Sequence, residues 1–248
     1  VEARRAEQPR SRASAAVDAR VLSGVPATAG SELARLLAVR VPDLIDYQDE
    51  RYACAYAAFV ERIRAEEQRR VPGSSAVTEA VARNLYKLMA YKGEYEVARL
   101  SLDPVLDAEV EQRFGAGARY SYRLHPPVLR AIGLRRKLTL GPWFRSAFRV
   151  LRSMRRLRGT RMDLFGYAAV RRVERELIAE YREAVESVVA RLEPHTSQAV
   201  VELADLPDLV RGYEDVELRS AADYRERLAE MRARLLRAPA EGSGVGWS

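Results

Sequence analysis

From Pro42 to Arg70 the apolar residues Leu44, Tyr47, Tyr52, Tyr56, Phe59, Val60 and Ile63 recur at spacings near three and four, and the end of the run is densely charged. A strand needs a period of two, so this spacing restricts the segment to a long amphipathic helix with one buried face. The same period recurs along most of the chain. Ser31 stands as an N-cap before ELARLLAVRV, and Pro42 is expected to end that helix and open the next. VPGSS at 71–75 reads as a loop, and a third helix is expected from about Val77 to Tyr91. Asp103-Pro104 opens a short helix ending near Gly115. A long helix is expected over 168–192, a short one over 197–204 and a last one over 220–236. The segments ARYSYRLHPPV and RKLTLGP alternate instead and predict a small β-hairpin near 118–140.

The expected fold class is therefore mainly α, a helical domain of about six to eight helices with that one small β element. Residues 1–30 lack a clear period and read as a flexible leader or the end of an upstream domain. Residues 31–237 read as the helical domain and 238–248, rich in Gly and Ser, as a disordered tail.

Charge is distributed unevenly. Between Gln112 and Met162 there is no Asp or Glu, but 14 Arg and Lys; the remaining chain holds 28 basic against 35 acidic residues, a balance of −7. The whole-chain charge of +7 thus comes from one block. Within it a helix is expected from Pro142 to about Arg158, with Phe144, Ala147, Phe148, Leu151 and Met154 on one stripe and Arg145, Arg149, Arg152 and Arg156 on another. Arg171 and Arg172 could extend that basic face from the following helix. Such a block suits phosphates, with Tyr120, Tyr122 and Trp143 as stacking surfaces, an acidic protein surface, or pairing with the acidic helices of this same domain. No helix-turn-helix, zinc-finger or RNA-recognition pattern accompanies it, which disfavours nucleic acid.

Catalytic patterns are not found: there is no GxGxxG, GxxxxGK[ST], HExxH, GxSxG or CxxC. One cysteine, Cys54, leaves no internal disulfide and no self-contained iron–sulfur site, and its apolar run YACAYAAF predicts a packing cysteine. His125 and His195 each lie beside a proline in an expected loop. Glu174 and Glu176 are two apart and so fall on different helix faces, while Glu96 and Arg99 suit a surface ion pair. No window of about 18 uninterrupted apolar residues offers a membrane span.

Three runs are more specific. NLYKLMAYKGEYEVARL at 84–100, LRGTRMDLFGYAAVRRVERELIAEY at 157–181 and LADLPDLVRGY at 203–213 resemble signatures of the C-terminal domain of single-chain indolepyruvate ferredoxin oxidoreductases. These belong to the thiamine-diphosphate-dependent 2-oxoacid:ferredoxin oxidoreductase group. The positions that carry the resemblance are Lys87, Tyr91, Lys92, Glu94, Glu96 and Arg99, the helix entry Gly141, Pro142 and Trp143, the turn at Gly159 and Thr160, the turn at Asp163, Phe165, Gly166 and Tyr167, and the doubled Arg171 and Arg172. Leu164 and Gly93 depart from the pattern, which has Pro and Asp there.

The resemblance implies a parent reaction in which an aryl 2-oxoacid is oxidatively decarboxylated to an acyl-CoA with ferredoxin as electron acceptor. It also implies thiamine diphosphate, magnesium and iron–sulfur clusters in the catalytic partner domains. The motifs that hold those groups are not among these residues, and Asn84 is the one asparagine. The expected role is accessory: an interaction or structural segment in the cytoplasm, bound by no cofactor and no membrane. Its expected partners are the catalytic domains or subunits, with ferredoxin a further candidate for the arginine face. The alternative is a nucleic-acid-binding module using residues 113–161.

Overall fold

Ser31 caps as its position suggests, its hydroxyl accepting the amide of Ala34 at 3.2 Å. In the computed structural model, residues 12–91, 101–102, 104–115, 122–124, 138–140, 145–154, 169–210 and 215–237 are described. They form α1 (Arg12–Leu22), α2 (Glu32–Tyr47), α3 (Glu50–Arg70), α4 (Ala76–Met89), α5 (Pro104–Phe114), α6 (Arg145–Ser153), α7 (Ala169–Val189), α8 (Ser197–Asp205) and α9 (Asp215–Arg237). Two 3₁₀ turns, η1 (Pro194–Thr196) and η2 (Leu206–Leu209), flank α8. The strands β1 (Tyr122–Leu124) and β2 (Leu138–Leu140) pair antiparallel, Tyr122 opposite Leu140. The protein is mainly helical, and the described residues hold nine α-helices, one more than the upper end of the expected range.

The additional helix is α1, which corrects, for residues 12–22, the flexible half of the expectation that residues 1–30 are a flexible leader or the end of an upstream domain. Val21 and, just beyond the helix, Val25 are each 4% exposed in the main core, Asp18 is buried, and Arg20 pairs with Glu50. Two anchoring valines are too few to impress a period on an Arg- and Ala-rich run, so the packing is invisible to pattern reading. Residues 1–11 and the 238–248 tail lie outside the described residues.

A second correction concerns Pro42. Helix α2 runs through it to Tyr47, and the break falls at Gln48–Asp49, where the Asp49 carboxylate accepts the amide of Tyr52 at 2.8 Å. An interior proline costs about 3 kcal/mol through its lost hydrogen bond and steric clash. Here Val41 and Leu44 on either side are fully buried, and their burial contributes about as much. Cys54 is a third correction: it is exposed, because Ala53, Tyr56, Ala57, Phe59, Val60 and Ile63 define the inward face of α3 and position 54 turns away from it.

Helix α4 is the centre of the bundle. Nine of its 14 residues are buried, because α2, α3, α7, α8 and η2 surround it. Helix α9 lies along α7 and reaches η2. Tyr47, Tyr56, Tyr181 and Tyr224 are buried in the core, and the hydroxyls of Tyr47, Tyr56 and Tyr181 are anchored on backbone carbonyls. Tyr56 donates to Ala82 at 2.7 Å and Tyr181 to Ala204 at 2.9 Å, and burial pushes both phenols up from their ordinary pKa.

At the α3–α4 corner a fully buried carboxylate replaces a local cap. Ser75 makes no side-chain cap bond to the α4 amides, and its hydroxyl instead meets Glu79 at 2.8 Å. Glu67, 0% exposed, reaches over from α3: Oε1 accepts from Ser74 Oγ (2.7 Å) and Val77 N (3.0 Å), Oε2 from Thr78 N (2.8 Å) and Thr78 Oγ1 (2.5 Å). First-turn amides and a negative charge at a helix N-terminus are thus satisfied by the neighbouring helix.

The charged end of α3 gives a pH prediction. Hydrogen bonds from Arg69 and Arg70 hold the Glu66 carboxyl at about 2. A depressed folded value means the pairing supports the fold above the ordinary carboxylate range and is lost as pH falls toward 2. Replacing both arginines with Gln should return the Glu66 midpoint to near 4.5, read by carboxyl NMR titration. An unmoved midpoint would assign the depression to something other than these arginines.

Candidate interaction site

The runs at 84–100 and 203–213 meet in space. Asn84, on the inward face of α4 and 1% exposed, donates from Nδ2 to the Ala80 carbonyl (2.9 Å) and to Asp205 Oδ1 (2.6 Å) at the end of α8. Its Oδ1 accepts from Lys87 Nζ at 3.1 Å, and Lys87 also pairs with Asp208 in η2. Positions three apart on α4 thus face positions three apart on the α8–η2 segment. Helical stacking of i and i+3 puts both donors on one side, and buried Leu206 and Pro207 seat the turn between the two acids. The arrangement is a polar clasp, closed by an amide at its buried end and by an ion pair at its half-exposed end.

Tyr91 lies just past this end of α4. Its carbonyl accepts from the Tyr47 hydroxyl at 3.1 Å, and the two rings are edge-on at 6.0 Å. Tyr52 donates to the Met89 carbonyl, also at 3.1 Å. These tyrosines satisfy carbonyls that the end of a helix leaves without internal donors.

Pattern reading missed Arg182, which meets the same end of α4 from α7. Its guanidinium lies 5.3 Å from the Phe59 ring centroid and 3.5 Å from Met89 Sδ, and burial lowers its pKa. Arg62 approaches the same ring at 5.3 Å and pairs with Glu186 at 2.7 Å. Phe59, 1% exposed, therefore carries two cations, and the α4 carbonyl end adds a compensating negative dipole. The available signal was that Arg182 directly follows Tyr181, on the border of the inward stripe Leu177, Tyr181, Ala184, Val185 and Val188.

Of the four-arginine ladder, the side chains of Arg145 and Arg149 are described. On α6, Phe148 is buried, while Ala147, Leu151 and Met154 beyond the helix end are half-buried, in line with the expected apolar stripe. Arg145 is half-buried and engaged by a partner, Arg149 is exposed, and Val150 is 59% exposed. Among the α6 side chains that are described, the exposed ones are Ser146, Arg149, Val150 and Ser153, at offsets 0, 3, 4 and 7. Arg172, in the first turn of α7, is also exposed. The side chains of Arg152 and Arg171 lie outside the described residues. So do Phe144, Arg156, Lys92, Glu94, Glu96, Arg99, Gly141, Pro142, Trp143, Gly159, Thr160, Asp163, Phe165, Gly166, Tyr167 and His125.

Elsewhere the acids are used locally. Arg35 pairs with Glu32, Arg64 with Glu61 (2.6 Å), Arg70 with Glu66 (2.9 Å), Arg225 with Glu176 and Glu180 (2.9 and 2.7 Å) and Arg232 with Glu183 (3.0 Å). Glu174 is buried and Glu176 exposed, on separate faces. His195 is exposed in η1, 3.4 Å from Glu193. Among the described residues no group of three or more His, Cys, Asp or Glu is placed to hold a metal ion, and no helix is long and apolar enough to cross a membrane.

Residues 33–230, most of the chain, match a protein family described as a family of unknown function (DUF6537). No curated protein and no solved structure matches.

Proposed function

The chain belongs to this family of unknown function, and on that premise we propose that it is the accessory helical segment of an indolepyruvate ferredoxin oxidoreductase-like enzyme. In this reading it supplies structure and docking in the cytoplasm. Catalytic domains or subunits carrying thiamine diphosphate, magnesium and iron–sulfur clusters convert aryl 2-oxoacids to acyl-CoA and pass electrons to ferredoxin. The observation that carries the reading is the clasp. Residues from the 84–100 and 203–213 runs, distant in sequence, bind each other through Asn84–Asp205 and Lys87–Asp208, as parts of one domain signature would. No residue of this chain is given a catalytic role.

Isolation of the tagged chain from its native cells tests this. A co-purifying protein with bound thiamine diphosphate, iron–sulfur absorbance and 2-oxoacid- and CoA-dependent reduction of ferredoxin is the expected result. Isolation with nuclease-sensitive nucleic acid, lost steeply as salt rises, would overturn it in favour of a basic nucleic-acid module.

A further inference from the structure

We infer that the solvent face of α6, formed by Ser146, Arg149, Val150 and Ser153, is a docking surface for an acidic protein segment that also presents an apolar side chain. The inference deepens the accessory reading and rests on it for the existence of a partner. The composition of the face is an observation on its own.

Three features converge on this partner. First, the stretch of sequence that carries the face is one-signed: no Asp or Glu occurs between Gln112 and Met162, and Arg149 has no acidic partner among the described residues. Many of the bundle's glutamates are engaged by Arg35, Arg62, Arg64, Arg70, Arg225 and Arg232, and Arg149 stands apart from these pairs. Second, the centre of the face is apolar. Val150 is 59% exposed although Phe148, two residues earlier, is 1% exposed, so the helix already buries one side and leaves a branched aliphatic group in water on the other. An apolar centre beside a cation, rimmed by small polar groups, resembles the middle of a protein interface more than a phosphate track. Third, the flanking residues are small. The Ser153 hydroxyl is turned onto its own helix, donating to the Val150 carbonyl at 2.7 Å, so neither serine blocks close approach.

Nucleic acid fits this face poorly. A polyanion is served by a row of cations at phosphate spacing, whereas among the described residues this face offers one exposed cation, Arg149, beside an apolar Val150.

The test is fluorescence anisotropy of the full chain with a labelled helical peptide of Glu and Leu. A Lys and Leu peptide and a single-stranded DNA serve as competitors. Preferential binding of the acidic peptide is expected, weakened about tenfold by Arg149→Glu and comparably by Val150→Asp. Both sites are exposed, so melting temperatures should hold; Val150→Ser is a milder second variant that should weaken binding without altering charge. Binding indifferent to the Val150 variants, preference for DNA, or no binding of the acidic peptide would overturn the inference. A failure here concerns this face alone, since the oxidoreductase reading is judged by what co-purifies.

Discussion

Glu67→Ala should lower the stability of the folded chain by about 3–5 kcal/mol and its melting temperature by about 10 °C. The carboxylate is fully buried and accepts four hydrogen bonds, two from first-turn amides of α4 and two from hydroxyls. Truncation would leave all four donors in a dry site, and α4 is the helix around which the others pack. Glu67→Gln keeps the shape but turns an amide NH₂ toward donors, so it should lie between wild type and Glu67→Ala. Thr78→Val removes one donor together with its hydroxyl and should cost only about 1 kcal/mol. Thermal and urea unfolding by circular dichroism read all three. A loss below about 1 kcal/mol for Glu67→Ala would mean that water or another group reaches the α4 amides.

Asn84→Leu should cost about 2–3 kcal/mol and act mostly on one region. It removes the donor to Asp205 and the acceptor for Lys87 while keeping similar volume, and it leaves the Lys87–Asp208 pair, which is half-exposed and worth little alone. Amide hydrogen exchange should therefore rise in α8 and η2 and stay unchanged in α2. A double-mutant cycle with Asp205→Ala should give a coupling of about 1–2 kcal/mol. Additive effects of the two substitutions would mean that the clasp does not join the two signature runs energetically.

Local chemistry explains what was legible in the sequence. The helical period placed α4, α7 and α8 within a few residues and the end of α3 at Arg70, Ser31 and Gly115 marked helix ends, and Phe148 was placed on the buried stripe of α6. Each depends on neighbours one or two turns away, so a linear reading contains the needed information. Pro42 misled because its local cost is real, while the burial of Val41 and Leu44 that offsets it is tertiary. Cys54 misled because an alanine-rich run has no strong moment, so its register was fixed only by Tyr56, Phe59 and Val60 against the core.

The candidate site divides in the same way. The sequence by itself determined a mainly helical chain and a single acid-free basic block. Only the tertiary structure decided that Asn84 meets Asp205 and that Glu67 caps a neighbouring helix. Only the tertiary structure decided, too, that Arg182 stacks on Phe59 and that α6 offers Ser146, Arg149, Val150 and Ser153 to solvent. Periodicity is a property of one helix, whereas partners for buried polar groups come from whichever helix lies alongside, and that depends on how all the apolar faces pack at once.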